Sequence, residues 1–336
     1  MEMIRKIKMI SVSAAIAAAL GASAASAQTP TVKIDGSSTV YPITEAVAEE
    51  FQKAKRGKMR VTVGISGTGG GFKKFCRGET DISDASRPIT KKEMDACKAA
   101  GISYLEMPVA YDALTVVINP KNTWAKNLTV AELKKMWEPA AQGKITHWNQ
   151  VNPAWPKQPL TLFGPGADSG TFEYFTEAVV GKSKASRGDF TASEDDNVLV
   201  QGVSRDVNGL GYFGYAYYIE NKDKLAAADI VPPSGGPGVG PSLDTVVSGA
   251  YQPLSRPILI YVNVKAAQRP EVKEFIEFYN KQATKLVKEV KYVPLPERAY
   301  TYNIETLAKM RAGTKFGGEN KVGLTIDDLM KLEAKL

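Results

Sequence analysis

One stretch of the chain, residues 164–172 (Gly-Pro-Gly-Ala-Asp-Ser-Gly-Thr-Phe), joins an extended apolar segment to the start of a helix. Before it, residues 160–163 read Leu-Thr-Leu-Phe between a proline and a glycine, which is typical of a short strand. After it, Phe172, Phe175 and Val179 recur at helical spacing. The first amides of a helix lack internal partners, and the helix dipole favours negative charge there. This junction therefore predicts a strand, a helix and a place where an anion can bind.

Two further junctions have the same character. Residues 31–34 lead into Gly-Ser-Ser-Thr at 36–39, and residues 61–65 lead into Ser-Gly-Thr-Gly-Gly-Gly at 66–71. Each is followed by apolar residues at helical spacing. One such junction would mean little, because the same residues cap ordinary helices. Three of them can converge on one small, multiply charged oxyanion.

The beginning of the chain, residues 1–27, is typical of a secretory signal peptide. Basic residues from Arg5 to Lys8 precede an apolar run from Ile10 to Leu20, and residues 25–27 read Ala-Ser-Ala, a small-residue cleavage pattern. We therefore expect an exported protein, released from this leader by cleavage. About three hundred residues remain after cleavage, enough for a large core and two domains.

Composition and charge indicate an ordinary globular protein. Hydrophobic residues make up 43% of the chain and charged residues 24%. The formal net charge is +7, but lysines alternate with acidic residues and form no sustained basic stripe, so we expect no nucleic-acid partner. Apolar runs at 116–118, 160–162 and 258–262 alternate with helical patterns, which predicts an α/β fold with mixed sheets flanked by helices.

The chain has two cysteines, Cys76 and Cys97. In an oxidising compartment they predict a local disulfide that closes a loop of about twenty residues. A zinc site needs more ligands, and the single histidine, His147, lies far from both cysteines in sequence. We therefore expect neither a metal nor a cofactor.

Residues 80–89 (Thr-Asp-Ile-Ser-Asp-Ala-Ser-Arg-Pro-Ile) have the small, polar character of a loop that follows a short strand. Arg87 can contact an oxyanion through two nitrogens, and Ser86 can offer a neutral hydrogen bond. Pairing of Arg87 with a nearby aspartate is an equally good interpretation of this segment alone.

Two other stretches have structural interpretations. Residues 209–218 concentrate glycine and aromatic side chains, which favours dense packing over ligand stacking. The Lys- and Glu-rich stretch 271–291 carries Val272, Phe275 and Tyr279 at helical spacing. It predicts an amphipathic helix with one solvated face.

Taken together and in this order, the motifs resemble the phosphate-binding proteins of ABC importers, the PstS type. The similarity runs over nearly the whole chain after residue 27, through residues 35–42, 66–72, 80–89, 168–172, 196–200 and 210–215. The resemblance implies a two-lobed periplasmic binding protein of type II, with the ligand cleft between its lobes. The resemblance also makes residues 109–118 the outgoing crossover and 256–262 the return. Lobe one would then comprise residues 28–114 and 256–336, and lobe two residues 115–255.

The resemblance further implies a monomer that binds inorganic phosphate with high affinity and delivers it to the permease and ATPase of an ABC importer, without chemistry on the ligand. The binding residues it implies are Ser38, Thr39, Ser66, Thr68, Ser86 and Arg87 from lobe one and Ser169, Gly170 and Thr171 from lobe two. In the second junction either Ser66 or Thr68 is the contact.

A carboxylate is expected among the phosphate ligands. Phosphate carries a proton at neutral pH and sulfate does not, so a carboxylate acceptor accommodates the first and repels the second. We expect Asp84 or Asp168 to be this acceptor. The chain departs here from the best-known branch of the family, because Ser86 replaces an aspartate and Pro165 replaces an arginine.

Two alternatives follow from these departures and from the site chemistry. The first is a binding protein for another tetrahedral oxyanion, sulfate or arsenate. The second is an exported phosphatase, which would need a metal cluster or a nucleophile activated by a base. The single histidine and the lack of a Gly-x-Ser-x-Gly motif at the junctions argue against the phosphatase.

Overall fold

The computed structural model describes residues 29–167, 169–193, 195–319 and 325–335. The predicted signal peptide and Asp168 lie outside these residues. The strands are β1 (Thr31–Gly36), β2 (Arg60–Ile65), β3 (Ile82–Ala85), β4 (Tyr104–Ile118), β5 (Asn127–Thr129), β6 (Thr161–Gly164), β7 (Thr191–Ala192), β8 (Gly209–Gly214), β9 (Ala226–Ala227), β10 (Asp229–Val231), β11 (Ser255–Asn263) and β12 (Val293–Pro294).

The helices follow the predicted alternation with strands along most of the chain. They are α1 (Tyr41–Ala54), α2 (Gly67–Phe75), α3 (Lys91–Ala99), α4 (Val130–Trp137), α5 (Trp148–Val151), α6 (Gly170–Phe175), α7 (Asp196–Arg205), α8 (Tyr215–Glu220), α9 (Leu243–Val247), α10 (Pro270–Glu289), α11 (Glu297–Ala308) and α12 (Ile326–Lys331). A π-helical turn, Thr176–Val180, continues α6. No helix among the described residues is long and apolar enough to cross a membrane.

The main sheet is mixed and has the strand order β2-β1-β3-β11-β4-β8-β6-β7, with β9 and β12 also paired to β4. Strand β1 is parallel to β2 and β3, and β6 is parallel to β7 and β8. The pairs of β11 with β3, of β11 with β4, and of β4 with β8 are antiparallel. The α/β architecture with mixed sheets flanked by helices is therefore confirmed.

Strand β4 belongs to both halves of this sheet. It pairs with β11 as far as Ala113, which lies opposite Ser255, and with β8 from Leu114 onward, which lies opposite Gly214. All 15 of its residues are buried. We call β2-β1-β3-β11 with residues 104–113 the first half of the sheet, and residues 114–118 with β8-β6-β7 the second half.

The first half places the ends of three parallel strands side by side. Gly36, at the end of β1, is the register partner of Ile65 in β2 and of Asp84 in β3. The Ser37 amide donates to the Asp84 carbonyl at 3.0 Å, and the Ser66 amide donates to the Gly36 carbonyl at 3.1 Å. Because parallel strands end at the same edge of a sheet, the loops that follow begin together there.

The helices cover the sheet through the apolar faces that the sequence predicts. Helix α1 begins with Pro42 in its first turn, which suits the fixed φ of proline, and buries Ile43, Val47 and Phe51. Helix α10 buries Val272, Phe275 and Tyr279 among others, and the Phe51 and Phe275 rings meet edge to face at 5.3 Å. Each such buried side chain contributes roughly 1.5–3 kcal/mol of hydrophobic stabilisation. The predicted amphipathic helix is therefore confirmed.

Two local predictions are also confirmed. Cys76, just after α2, and Cys97, within α3, form a disulfide with their Cα atoms 4.3 Å apart. In the glycine- and aromatic-rich segment, the Tyr212 ring is fully buried and stacks on Phe175 with ring centroids 3.7 Å apart. The β8 part of this segment serves packing, as its composition indicates, whereas Tyr215 and Tyr217 of α8 are only half-buried.

Because β1 and β3 approach each other closely at Gly36, a side chain at this position should lower the free energy of unfolding substantially. Its φ is +149°, and an added Cβ would lie 2.2 Å from the Asp84 carbonyl oxygen. We expect Gly36→Ala to lower the free energy of unfolding by about 3 kcal/mol. Urea unfolding in ligand-free buffer measures this.

Gly57→Ala is the matched control, since Gly57 also has a positive φ, +72°, but has nothing within 4 Å of the added Cβ. It should cost only the backbone strain, about 1 kcal/mol. Equal losses in the two variants would contradict the steric explanation.

Candidate anion-binding site

The first and third hydroxyl-rich junctions touch across the two halves of the sheet. Gly170, the first residue of α6, lies so close to the β1–α1 junction that an added Cβ would be 2.3 Å from Thr39 Oγ1 and 2.9 Å from its backbone nitrogen. Only glycine permits this approach without displacing the Thr39 backbone. The structure therefore brings two of the predicted binding residues, Thr39 and Gly170, into direct proximity.

Hydroxyl groups at this contact are available to a ligand. Ser169 caps α6 by accepting a hydrogen bond from the Thr171 amide, and Ser37 Oγ accepts one from the Thr39 amide at 3.2 Å. Among the described residues, the side-chain hydroxyls of Ser38, Thr39 and Thr171 have no hydrogen-bond partner. Hydroxyls and helix-start amides are neutral donors that suit an oxyanion.

The second junction contacts the loop after β3 through Thr68. Its Oγ1 lies 3.0 Å from Ser86 Oγ and accepts a hydrogen bond from the Ser86 amide at 3.1 Å. This joins the β2–α2 junction to the loop after β3. Two of the predicted binding residues, Thr68 and Ser86, are therefore adjacent.

Ser66 is engaged elsewhere. Its hydroxyl donates to Asp35 Oδ1, while Lys74 donates to the other oxygen of the same carboxylate at 2.6 Å. The Ser66–Asp35–Lys74 group tethers both ends of α2 to the end of β1. Of the two alternatives in this junction, Thr68 is the one that lies against Ser86, another predicted binding residue.

Arg87 is bound by a neighbouring carboxylate. Its two terminal nitrogens donate to the two oxygens of Glu93 at 2.9 and 2.8 Å. Burial lowers the pKa of Arg87, but the Glu93 hydrogen bond and the charges of Glu93 and Glu177 outweigh it and leave the pKa raised. The alternative of a local acidic partner is therefore the one that the structure shows, with Glu93 in place of an aspartate.

Asp84 lies behind the junctions, within the packed interior. Its Oδ1 accepts a hydrogen bond from Thr44 of α1 at 3.1 Å, and the Thr44 hydroxyl also lies 3.2 Å from the Tyr279 hydroxyl of α10. Burial, aided by the charge of Asp35 and opposed by the Thr44 hydrogen bond, raises the pKa of Asp84 to about 8. A carboxyl in this environment is mostly protonated at neutral pH.

The sequence did not point to a buried charged group beside α6. Arg256 of β11 contacts Glu177 and Asp112, and the three come from segments far apart in sequence. The sequence shows Arg256 only as the first residue of an apolar run.

Glu93, the partner of Arg87, could have been found from the sequence. Thr90 and Glu93 have the spacing of a capping box, which the structure shows at the start of α3.

The chain is similar to known proteins over most of its length. A family model described as a PBP superfamily domain matches residues 21–281. The chain is 53% identical over 309 residues to Protein SphX of Synechococcus elongatus, covering 92% of this chain and 90% of that protein. It is 39% identical over 273 residues to Phosphate-binding protein PstS of Staphylococcus saprophyticus, covering 80% of this chain and 82% of that protein.

A solved structure is similar over most of the chain. It is described as a possible phosphate binding protein from Planctomyces limnophilus, and it matches with a TM-score of 0.79 and 49% sequence identity over 84% of this chain and 98% of that one. The predicted two-lobed binding-protein fold is therefore confirmed. The chain belongs to the PBP superfamily, among the relatives of the SphX and PstS proteins.

Proposed function

We propose that this chain binds inorganic phosphate in the periplasm and delivers it to an ABC permease. The contact between Gly170 and Thr39 carries the proposal, because it joins anion-ready junctions from both halves of the sheet. The kinship with Phosphate-binding protein PstS supports phosphate as the ligand.

The chemistry of the site suits a dehydrated oxyanion. Phosphate that leaves water must regain strong hydrogen bonds to all four oxygens, so it needs many donors already in place. The proposed ligands are Ser38, Thr39, Thr68, Ser86, Ser169, Gly170 and Thr171, with Ser66 as the alternative to Thr68. Because Glu93 occupies the terminal nitrogens of Arg87, we assign that arginine the role of holding its loop in position, with neutral donors carrying the binding.

We further propose that lobe one comprises residues 28–114 and 256–336 and lobe two residues 115–255. The change of partner along β4, from β11 at Ala113 to β8 at Leu114, supports this division. The Gly170–Thr39 contact then belongs to a closed arrangement. Ligand contacts from both lobes would stabilise this arrangement over an open one.

Location and partners are part of the same proposal. A disulfide between Cys76 and Cys97 suits an oxidising compartment, and the pattern of residues 1–27 suits export. We propose a monomer that meets the permease and ATPase of an importer and leaves the ligand unchanged. In support, no base is hydrogen-bonded to the hydroxyls of Ser38, Thr39 or Thr171 among the described residues.

The first test is calorimetric titration of the refolded, ligand-stripped chain from Gln28 onward with phosphate, arsenate and sulfate at neutral pH. We expect tight one-to-one binding of phosphate and no response to sulfate. Equal binding of sulfate would favour a general oxyanion-binding protein. Absence of binding by all three anions would refute the proposal.

The Gly170–Thr39 contact predicts a specific loss of affinity. Gly170→Ala places a methyl group within 2.3 Å of Thr39 Oγ1, so the two junctions must separate. We expect phosphate to bind at least about tenfold more weakly, ~1.4 kcal/mol. Gly188→Ala is the control, because its added Cβ would make only an ordinary 3.5 Å contact with Gln142. Similar affinities for both variants would argue against closure at Gly170.

Asp84→Asn tests the protonation state of that carboxyl. A pKa of about 8, raised from an ordinary 3.8, means that folding favours the protonated form. The stabilisation that the protonated Asp84 carboxyl gives to the folded state is complete at low pH and is lost as the pH rises toward the folded-state pKa. Between about pH 5 and pH 8, wild type should therefore lose about 1 kcal/mol per pH unit relative to the variant, as urea unfolding measures it. Parallel profiles would indicate an ionised Asp84.

The acceptor role expected for Asp84 or Asp168 stays a prediction. If Asp84 is protonated at neutral pH, it donates rather than accepts, and Asp84→Asn should keep the preference for phosphate over sulfate. Asp168→Asn should then admit sulfate. The reverse result in the two titrations would assign the acceptor to Asp84.

A further inference from the structure

Arg256 occupies a special place in the sheet. It lies in β11 directly opposite Asp112 of β4, one residue pair away from the point where β4 passes to the second half of the sheet. Its side chain is only 9% exposed. A guanidinium buried at this crossing must be held by neighbouring acceptors, since an unpaired buried charge is very costly.

The contacts of Arg256 lead to the segment that carries the site. Its Nη1 donates to Glu177 Oε2 at 3.1 Å, and its guanidinium lies 3.6 Å from the centre of the Tyr174 ring. The Tyr174 hydroxyl in turn donates to the Pro253 carbonyl at 2.7 Å. Tyr174 belongs to α6, which begins at Gly170, and Glu177 to the π-helical turn that continues it. Arg256 therefore holds α6 against the crossing strands.

The second carboxylate beside Arg256 is not hydrogen-bonded to it. Asp112 Oδ2 lies 3.8 Å from Arg256 Nε, beyond hydrogen-bond distance, and both atoms are buried without a partner among the described residues. Burial raises the pKa of Asp112 to about 6, although the Arg256 charge opposes this. A shift of about 1 Å would let Nε and Oδ2 form a hydrogen bond. Arg256 thus lies between two carboxylates, one on β4 and one on the turn after α6, and is hydrogen-bonded only to the second.

We infer that Arg256 is a latch for the closed cleft, bonded to Glu177 when the cleft is shut and to Asp112 when it opens. This inference rests on the proposed function and adds a residue that positions the Ser169-Gly170-Thr171 junction without touching phosphate. Glu177 is suited to the exchange, because its side chain is 39% exposed and regains water easily when the latch opens.

The latch predicts opposite effects for its two carboxylates. Glu177→Gln weakens the closed state and should speed phosphate release at least about fivefold. Asp112→Asn weakens the open-state alternative and should slow release. Both release rates are measured by diluting the complex of the protein with radiolabelled phosphate and following the bound label by rapid filtration. The release rate is the better measurement, because removing the charge of the partly exposed Glu177 alters electrostatic attraction and so changes mainly the association rate. A change in the release rate then reports on the latch itself.

Arg256→Lys is the third variant. It keeps the positive charge but loses the planar group that stacks on Tyr174 and reaches both carboxylates, so release should speed up as in Glu177→Gln. Arg187→Lys is the matched control, because Arg187 is also buried and paired, with Asp189, away from this cluster. It should lower stability and leave the release rate within about twofold of wild type.

Faster release in both Glu177→Gln and Asp112→Asn would mean general damage and would overturn the latch. Unchanged release rates in both variants would also overturn it.

A ligand-free readout separates this inference from the proposed function. Lys58→Cys and Lys182→Cys, at exposed positions in the two proposed lobes, accept spin labels for distance measurement, since both native cysteines are in the disulfide.

Without ligand, Asp112→Asn should shift the label distances toward the shorter, closed population, and Arg256→Lys should not. If wild type fails to bind phosphate but this shift occurs, the proposed function fails and the latch stands. If wild type binds and Asp112→Asn shifts neither the distances nor the release rate, the latch fails alone.

Discussion

The approach of the Gly170 backbone to Thr39 is the contact on which the organisation of the site depends. Two strand-to-helix junctions can lie this close only where one of them lacks a side chain, because a methyl group there would overlap Thr39. The remaining junctions are placed by the sheet itself, since β1, β2 and β3 are parallel and end in register at Gly36. Hydroxyls and amides thus meet at one edge.

Charge is distributed around this edge in pairs. Arg87 is matched by Glu93, Lys74 by Asp35, and Arg256 by Glu177. Paired charges hold the loops in position and leave little net field, so an anion would be held mainly by neutral donors. Hydrogen bonding of this kind depends on geometry more than on charge, which makes the positions of the helix starts more important than any single cation.

Much of the fold was readable from the sequence because it rests on local patterns. Apolar spacing identified α1 and α10, and glycine-rich turns after short strands identified the junctions at residues 36–39, 66–71 and 164–172. Pairings between distant segments were less accessible. Ser66 and Thr68 lie in one turn, so spacing alone could not show that Ser66 binds Asp35 while Thr68 contacts Ser86. The two side chains point in different directions only once the loop is packed. The Arg256–Glu177 contact spans 79 positions and leaves no local trace.

The continuity of β4 has a mechanical consequence. Its 15 buried residues pass from one half of the sheet to the other within a single strand, so the passage is itself part of the hydrophobic core. Movement between the halves must then twist or bend a hydrogen-bonded strand, which acts as a stiff elastic element rather than as a loose tether. Such an element stores energy when deformed, so the contacts made in each arrangement of the halves must offset the strain in the strand. The two halves should also lose their structure together, because unfolding either one exposes the strand that the other needs.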